Sequence, residues 1–128
     1  MQPLDYRDHL LDVLKNSPDV QRVQVPEGTP YPYPLAVTVA GRDQLWQIMG
    51  QSADGAQKGK PTAPVHGDPA AWTTAPVTAA PDAWLGGVVG ATEATDTRKI
   101  DVWTARGKQN PGLTVFFHNG EKAFVRLA

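Results

Sequence analysis

The sequence predicts an α+β fold, an N-terminal helix packed on a mostly antiparallel sheet of about six or seven strands, with a long Pro/Ala/Thr-rich loop. Three observations predict it. Near the start, Tyr6, Leu10, Val13 and Leu14, with Leu11 alongside, recur at the spacing of one helical face. Several later runs alternate apolar and polar residues with a period of two, as half-buried strands do. Finally, 12 Gly and 12 Pro in 128 residues raise the turn content above the globular average, so the elements must be short.

Each element follows from local chemistry. The helix spans Asp5 to Asn16: Asp5 is the expected N-cap, Asp8 adds negative charge to the first turn, and Ser17-Pro18 stops the helix because Pro18 disfavours a helical residue before it. Val20, Val23 and Val25 form a short β-branched run ended by Pro26. Prolines 26, 30, 32 and 34, interleaved with Tyr31 and Tyr33, predict an extended, polyproline-like connection without ladder donors. From Leu35, the odd positions Leu35, Val37 and Val39 mark a strand. Leu45, Trp46, Ile48 and Met49 fit either period; a strand returning through a turn at Gly41 to Asp43 is expected, cut off by Gly50.

Residues 52–82 show neither period, and Val65, Trp72 and Val77 are their only large apolar residues, too few to build a core of their own. This stretch is expected to be one long irregular loop within a single domain spanning 1–128. Trp84 to Thr92 reads as a strand in which Gly86, Gly87 and Gly90 weaken pairing or let another backbone approach. Arg98 to Arg106 alternates, with Ile100, Val102 and Thr104 on one face and Lys99, Asp101, Trp103 and Ala105 on the other. Asn110, Pro111 and Gly112 mark a turn, and a hairpin closes the chain. If Asn119-Gly120 form a two-residue type I′ turn, His118 faces Glu121, Phe117 faces Lys122 and Val115 faces Phe124. The stems of Lys122 and Arg126 would then lie along Phe117 and Phe124, and Phe124 would belong to the core.

The composition excludes several functions. Without cysteine there are no disulfides, thiolate metal sites or cysteine nucleophiles. No apolar run approaches the ~20 residues of a membrane span, and acids stand where a signal peptide needs a basic start, so a cytoplasmic protein is expected. Many Val and Ala against few Ile suggest a GC-rich bacterial or phage source. Gly55, Gly59, Lys60 and Pro61 miss both the spacing and the hydroxyl of a phosphate-binding loop.

Candidate functional residues fall into three groups. His9 pairs most simply with Asp5 one helical turn away, while His66 with Asp68 and His118 with Glu121 offer imidazole–carboxylate pairs for metal or acid–base work. Two ligands on a loop make a poor metal site, so the reading calls for no catalytic residue, no cofactor and no metal. Tyr31, Tyr33, Trp72 and Trp84 lie in or beside loops, where aromatic anchors serve recognition, and predict a non-catalytic module acting through protein–protein contact with another protein or itself. The alternative is nucleic-acid binding. Residues 97–128 hold six Lys/Arg against two Asp/Glu, a local charge of +4, and Trp103 with Arg98, Lys99, Arg106 and Lys108, extended by Lys122 and Arg126, matches an aromatic platform in a basic groove.

Overall fold

A computed structural model describes residues 1–56 and 60–128. Helix α1 spans Pro3–Lys15, followed by strands β1 (Val20–Gln24), β2 (Leu35–Val39) and β3 (Arg42–Gln51). Helix α2 (Pro81–Gly90), strand β4 (Thr97–Val102), a 3₁₀ turn (Thr104–Arg106), and strands β5 (Gly112–Phe117) and β6 (Lys122–Leu127) complete the described chain. The sheet has six strands in the order β1-β2-β3-β6-β5-β4, with every neighbouring pair antiparallel. The α+β class with an N-terminal helix on an antiparallel sheet is therefore the observed one.

Helix α1 begins two residues earlier than expected, with Pro3 at its first turn and Gln2 at the cap position, so Asp5 sits inside the first turn. A proline is pre-organised there because its missing N–H would find no intrahelical partner anyway. Tyr6, Leu10 and Leu14 are the buried stripe, and the Tyr6 ring meets Phe117 of β5 edge-on at 5.6 Å between centroids. The inner sheet face supplies Leu35, Val37 and Val39, then Trp46 and Ile48, then Leu113, Val115 and Phe117, and lastly Ala123 and Val125. Both helices lie on this face, and with Trp84, Leu85 and Val89 of α2 these residues form one apolar cluster.

The turn between β2 and β3 lies at Ala40-Gly41, both at positive φ, which is the type I′ geometry expected at the other hairpin. Strand β3 then runs ten residues, and Gly50 does not end it; Gly50 sits within it under the Pro3 ring, where a Cβ would lie 2.9 Å from Pro3 Cγ. Between β1 and β2 the tyrosine–proline stretch bends instead of extending, with Tyr33 at φ 43°.

Residues 81–90 form a helix, not the expected strand. Pro81 starts it, and the Asp82 carboxylate, fully buried, fastens it: it accepts from the backbone N–H of Thr104 (2.9 Å) and Gly112 (3.1 Å) and from the Thr104 hydroxyl (2.6 Å). A nine-residue apolar run carries too little period to separate strand from buried helix, and the tertiary anchor decides. The glycines nevertheless allow close backbone approach as expected: a Cβ on Gly87 would meet the Thr73 carbonyl at 2.9 Å, and one on Gly90 would overlap Trp72.

The described residues between β3 and α2, 52–56 and 60–80, are irregular; residues 57–59, including Gly59 of the rejected phosphate loop, lie outside the described residues. The described part is tied down where it passes. Glu121 accepts the Thr62 N–H at 3.1 Å, Asn119 donates to the Thr62 carbonyl at 3.2 Å, and Gly67 N–H donates to the Thr95 carbonyl at 2.8 Å.

The closing hairpin differs by one residue from the expected register. Phe117 N–H donates to the Glu121 carbonyl at 3.0 Å, leaving His118, Asn119 and Gly120 as a three-residue loop in which Gly120 takes φ +91°. This is a type I turn with a bulged glycine, which Asn-Gly also satisfies. Phe116 therefore faces Lys122, Val115 faces Ala123 and Thr114 faces Phe124. A one-residue slip exchanges the faces of a strand: Phe124, Lys122 and Arg126 join Phe116 on the outer face, and Glu121 turns inward, 2% exposed.

Candidate functional site

The helices cover only the inner face of the sheet, so the outer face of β3, β6, β5 and β4 is where the register concentrates unusual chemistry. Across it run three rows fixed by backbone pairing: Gln51, Lys122, Phe116 and Lys99; Met49, Phe124, Thr114 and Asp101; and Gln47, Arg126 and Gly112. Neighbouring strands stand about 4.8 Å apart, so these side chains are contiguous.

At the first row three cations converge on one ring. Lys122 Nζ lies 5.2 Å, Lys99 Nζ 5.6 Å and Arg98 Cζ 5.5 Å from the Phe116 centroid. The bulge of β4 between Thr97 and Lys99 permits this, because it lets two consecutive residues point to one neighbour. Each contact with the ring quadrupole contributes about 0.5–1 kcal/mol at an exposed site, while three like charges gathered at one point repel one another. None of the three, nor Arg126, has a carboxylate partner among the described residues. Arg106 does: its Nε pairs with Asp101 at 2.8 Å, which removes the acidic group of these three rows from competition.

Trp103 lies on the outer face as its alternation predicts, but it is not a free stacking platform. Strand β4 ends at Val102, and the 3₁₀ turn folds the half-buried indole over Gly112, where a Cβ would come within 2.2 Å of the ring. Its Nε1 donates to the Thr114 hydroxyl at 2.9 Å. The exposed apolar surface of the face is instead Met49, with half-buried Phe124 and Phe116 beside it. Lys108 stands exposed in the loop after the turn, its N–H bonded to the Trp103 carbonyl.

The aromatic loop residues do not assemble into one surface. Tyr31 and Tyr33, 38% and 41% exposed, lie in the connection leading into β2, whereas Trp72, 40% exposed, packs against α2 and β4 at the other end of the strand order. Trp84 is 2% exposed and belongs to the core, which corrects its assignment as a surface anchor. It pins α2 to the sheet instead.

The histidine pairs serve the long segment. His118 Nε2 donates to the Asp68 backbone carbonyl at 2.8 Å and its ring covers Gly67, while His66 Nδ1 bonds the Thr95 hydroxyl at 2.8 Å. Glu121 points away from His118, binding the Thr62 N–H, Asn119 and the Met1 amine. Among the described residues no three His, Asp or Glu side chains gather as a metal site, and no helix is long and apolar enough to cross a membrane. Sequence reasoning missed Phe116 and Phe124 as site residues because the expected register placed Phe124 in the core and set Lys122 beside Phe117. The bulged turn chemistry was the signal available. Compared with known proteins, the chain matches no family model, no curated protein and no solved structure.

Proposed function

We propose that this protein is a non-catalytic, cytoplasmic binder of single-stranded nucleic acid that uses the outer face of β4, β5 and β6. The observation that carries this reading is the convergence of Arg98, Lys99 and Lys122 on Phe116 without a carboxylate partner among the described residues. A phosphate oxyanion relieves the mutual repulsion of such a cluster, and Arg126 extends the track along β6. Phe124 and Met49, in the next row, offer the apolar ground on which an unstacked base can rest. An open sheet face favours a single strand, whose bases are free to splay, over a duplex, whose bases are turned inward.

The test is fluorescence anisotropy of labelled short oligothymidylate, oligouridylate and a matched duplex at low salt. Single strands are expected to bind, more weakly as salt rises, and the duplex to bind less tightly than either. Absence of salt-dependent binding to both single strands defeats the proposal. A second reading, contact with another protein, rests on the exposure of Tyr31, Tyr33 and Trp72; loss of a copurifying partner or of self-association on Trp72→Ala would favour it.

A further inference from the structure

The cations of the outer sheet face are unevenly placed. Arg126 stands apart in the third row, whereas Arg98, Lys99 and Lys122 gather in the first, 5.2 to 5.6 Å from the Phe116 centroid. Along β6, Lys122 and Arg126 are four residues apart, about 13 Å at the rise of a strand, with Phe124 between them on the same face. The three-cation row is also the end of the sheet: Gln51 is the last residue of β3, and its partner Lys122 is the first of β6. Beyond that row the hairpin loop turns to the chain crossing it, His118 bonding the Asp68 carbonyl at 2.8 Å and Asn119 the Thr62 carbonyl at 3.2 Å. A single strand following β6 from Arg126 to Lys122 therefore comes to the edge of the basic surface where its positive charge is most concentrated.

An internal phosphodiester brings one negative charge to such a point. A terminal phosphate monoester brings about −1.5 to −2 at pH 7, with three strong acceptor oxygens. Three cations without a carboxylate partner among the described residues, Lys122 half-buried among them, match the monoester better than the diester. Resting on the single-strand reading above, we propose that the Phe116 cluster is a subsite for a phosphorylated end of the strand. The terminal phosphate sits among Arg98, Lys99 and Lys122, the adjoining base lies on Phe124 and Met49, and Arg126 meets an internal diester. A strand with hydroxyl ends offers the cluster only diesters, each with less charge, and relieves less of the mutual repulsion.

The experiment titrates the full chain into three oligothymidylates of one length, each labelled at an internal thymine and read by fluorescence anisotropy at low salt. One has hydroxyl ends, one a 5′-phosphate and one a 3′-phosphate. One of the phosphorylated strands is expected to bind about tenfold more tightly than the hydroxyl-ended strand. Lys99→Ala and Lys122→Ala are each expected to cut that preference about threefold, whereas Arg126→Ala weakens phosphorylated and hydroxyl-ended strands by the same factor. Equal binding of all three strands overturns the end subsite and leaves the single-strand reading in place; binding of none removes both. A preference that survives both lysine substitutions also overturns the proposal. So does thymidine monophosphate, phosphorylated at the preferred end, if it displaces the strand at the strand's own concentration, which would make the occupant a free nucleotide.

Discussion

Replacing Asp82 with alanine removes the acceptor that ties helix α2 to the turn after β4 and to the start of β5. The carboxylate is fully buried and accepts from Thr104 N–H, Thr104 hydroxyl, Gly112 N–H and, at 3.0 Å, Ala83 N–H. In the alanine variant the Thr104 hydroxyl can rotate toward another partner, but the three backbone donors, Ala83, Thr104 and Gly112, are fixed by their elements. Orphaned buried donors cost about 1–3 kcal/mol each, so the loss is about 3–5 kcal/mol, a large share of the ~5–15 kcal/mol available to a domain. Asp82→Asn keeps one acceptor oxygen and points an NH₂ at an N–H, so it should fall between wild type and alanine. Urea denaturation followed by tryptophan fluorescence reads this directly: with a slope of ~2 kcal/mol/M, the alanine midpoint drops by about 2 M. A loss below about 1 kcal/mol for Asp82→Ala would refute the argument that this carboxylate organises the β4–β5 end of the fold.

Further predictions rest on other contacts. Gly112→Ala should lift the Trp103 indole off the sheet, because the new Cβ would lie 2.2 Å from the ring; red-shifted emission and a loss of about 1–3 kcal/mol are expected, and unchanged emission would contradict the packing. The Tyr6 hydroxyl is buried without a partner, so Tyr6→Phe should leave stability unchanged or raise it by about 1 kcal/mol. Burial, aided by the charge of Asp96, raises the Tyr6 phenol above its ordinary value. The native state therefore holds its proton where the unfolded state loses it, and wild-type stability falls as pH rises above about 10. Tyr6→Phe should lack that component of the alkaline decline, as denaturation at a series of alkaline pH values will show. Finally, Phe117→Ala should cost about 3–5 kcal/mol and half-buried Phe124→Ala roughly 1–2 kcal/mol; the reverse order would restore the two-residue turn register.

Much of the fold was legible because local signals and tertiary context agree. The stripe of Tyr6, Leu10 and Leu14 and the alternation of Leu35, Val37 and Val39 appear as read, each with its buried face inward. Residues 81–90 were not legible, because Ala83 to Gly90 is apolar throughout and what makes it helical is the contact of Asp82 with Thr104 and Gly112, over twenty residues away. Its glycines were read for the right reason in the wrong element: close approach of residues 72–75 requires them in a helix as much as in a strand. At the hairpin, Asn119-Gly120 is compatible with two turn types, and only the bond from Phe117 N–H to the Glu121 carbonyl separates them. That single residue of register decides whether Lys122 lies beside Phe117 in the core or beside Phe116 on the open face. The basic residues Arg98, Lys99, Lys122 and Arg126 were visible from charge alone, but their shared aromatic partner was not.

The salt dependence of single-strand binding tests the central claim most directly. Each phosphate contact on a single strand contributes about −0.7 to the slope of log K against log salt, so the four cations Arg98, Lys99, Lys122 and Arg126, without carboxylate partners among the described residues, predict a slope near −2.8. Lys99→Ala and Lys122→Ala should each reduce its magnitude by about 0.7 while leaving the urea midpoint in place. A slope near zero, or one that neither lysine substitution changes, would contradict the assignment of the outer sheet face as the binding surface.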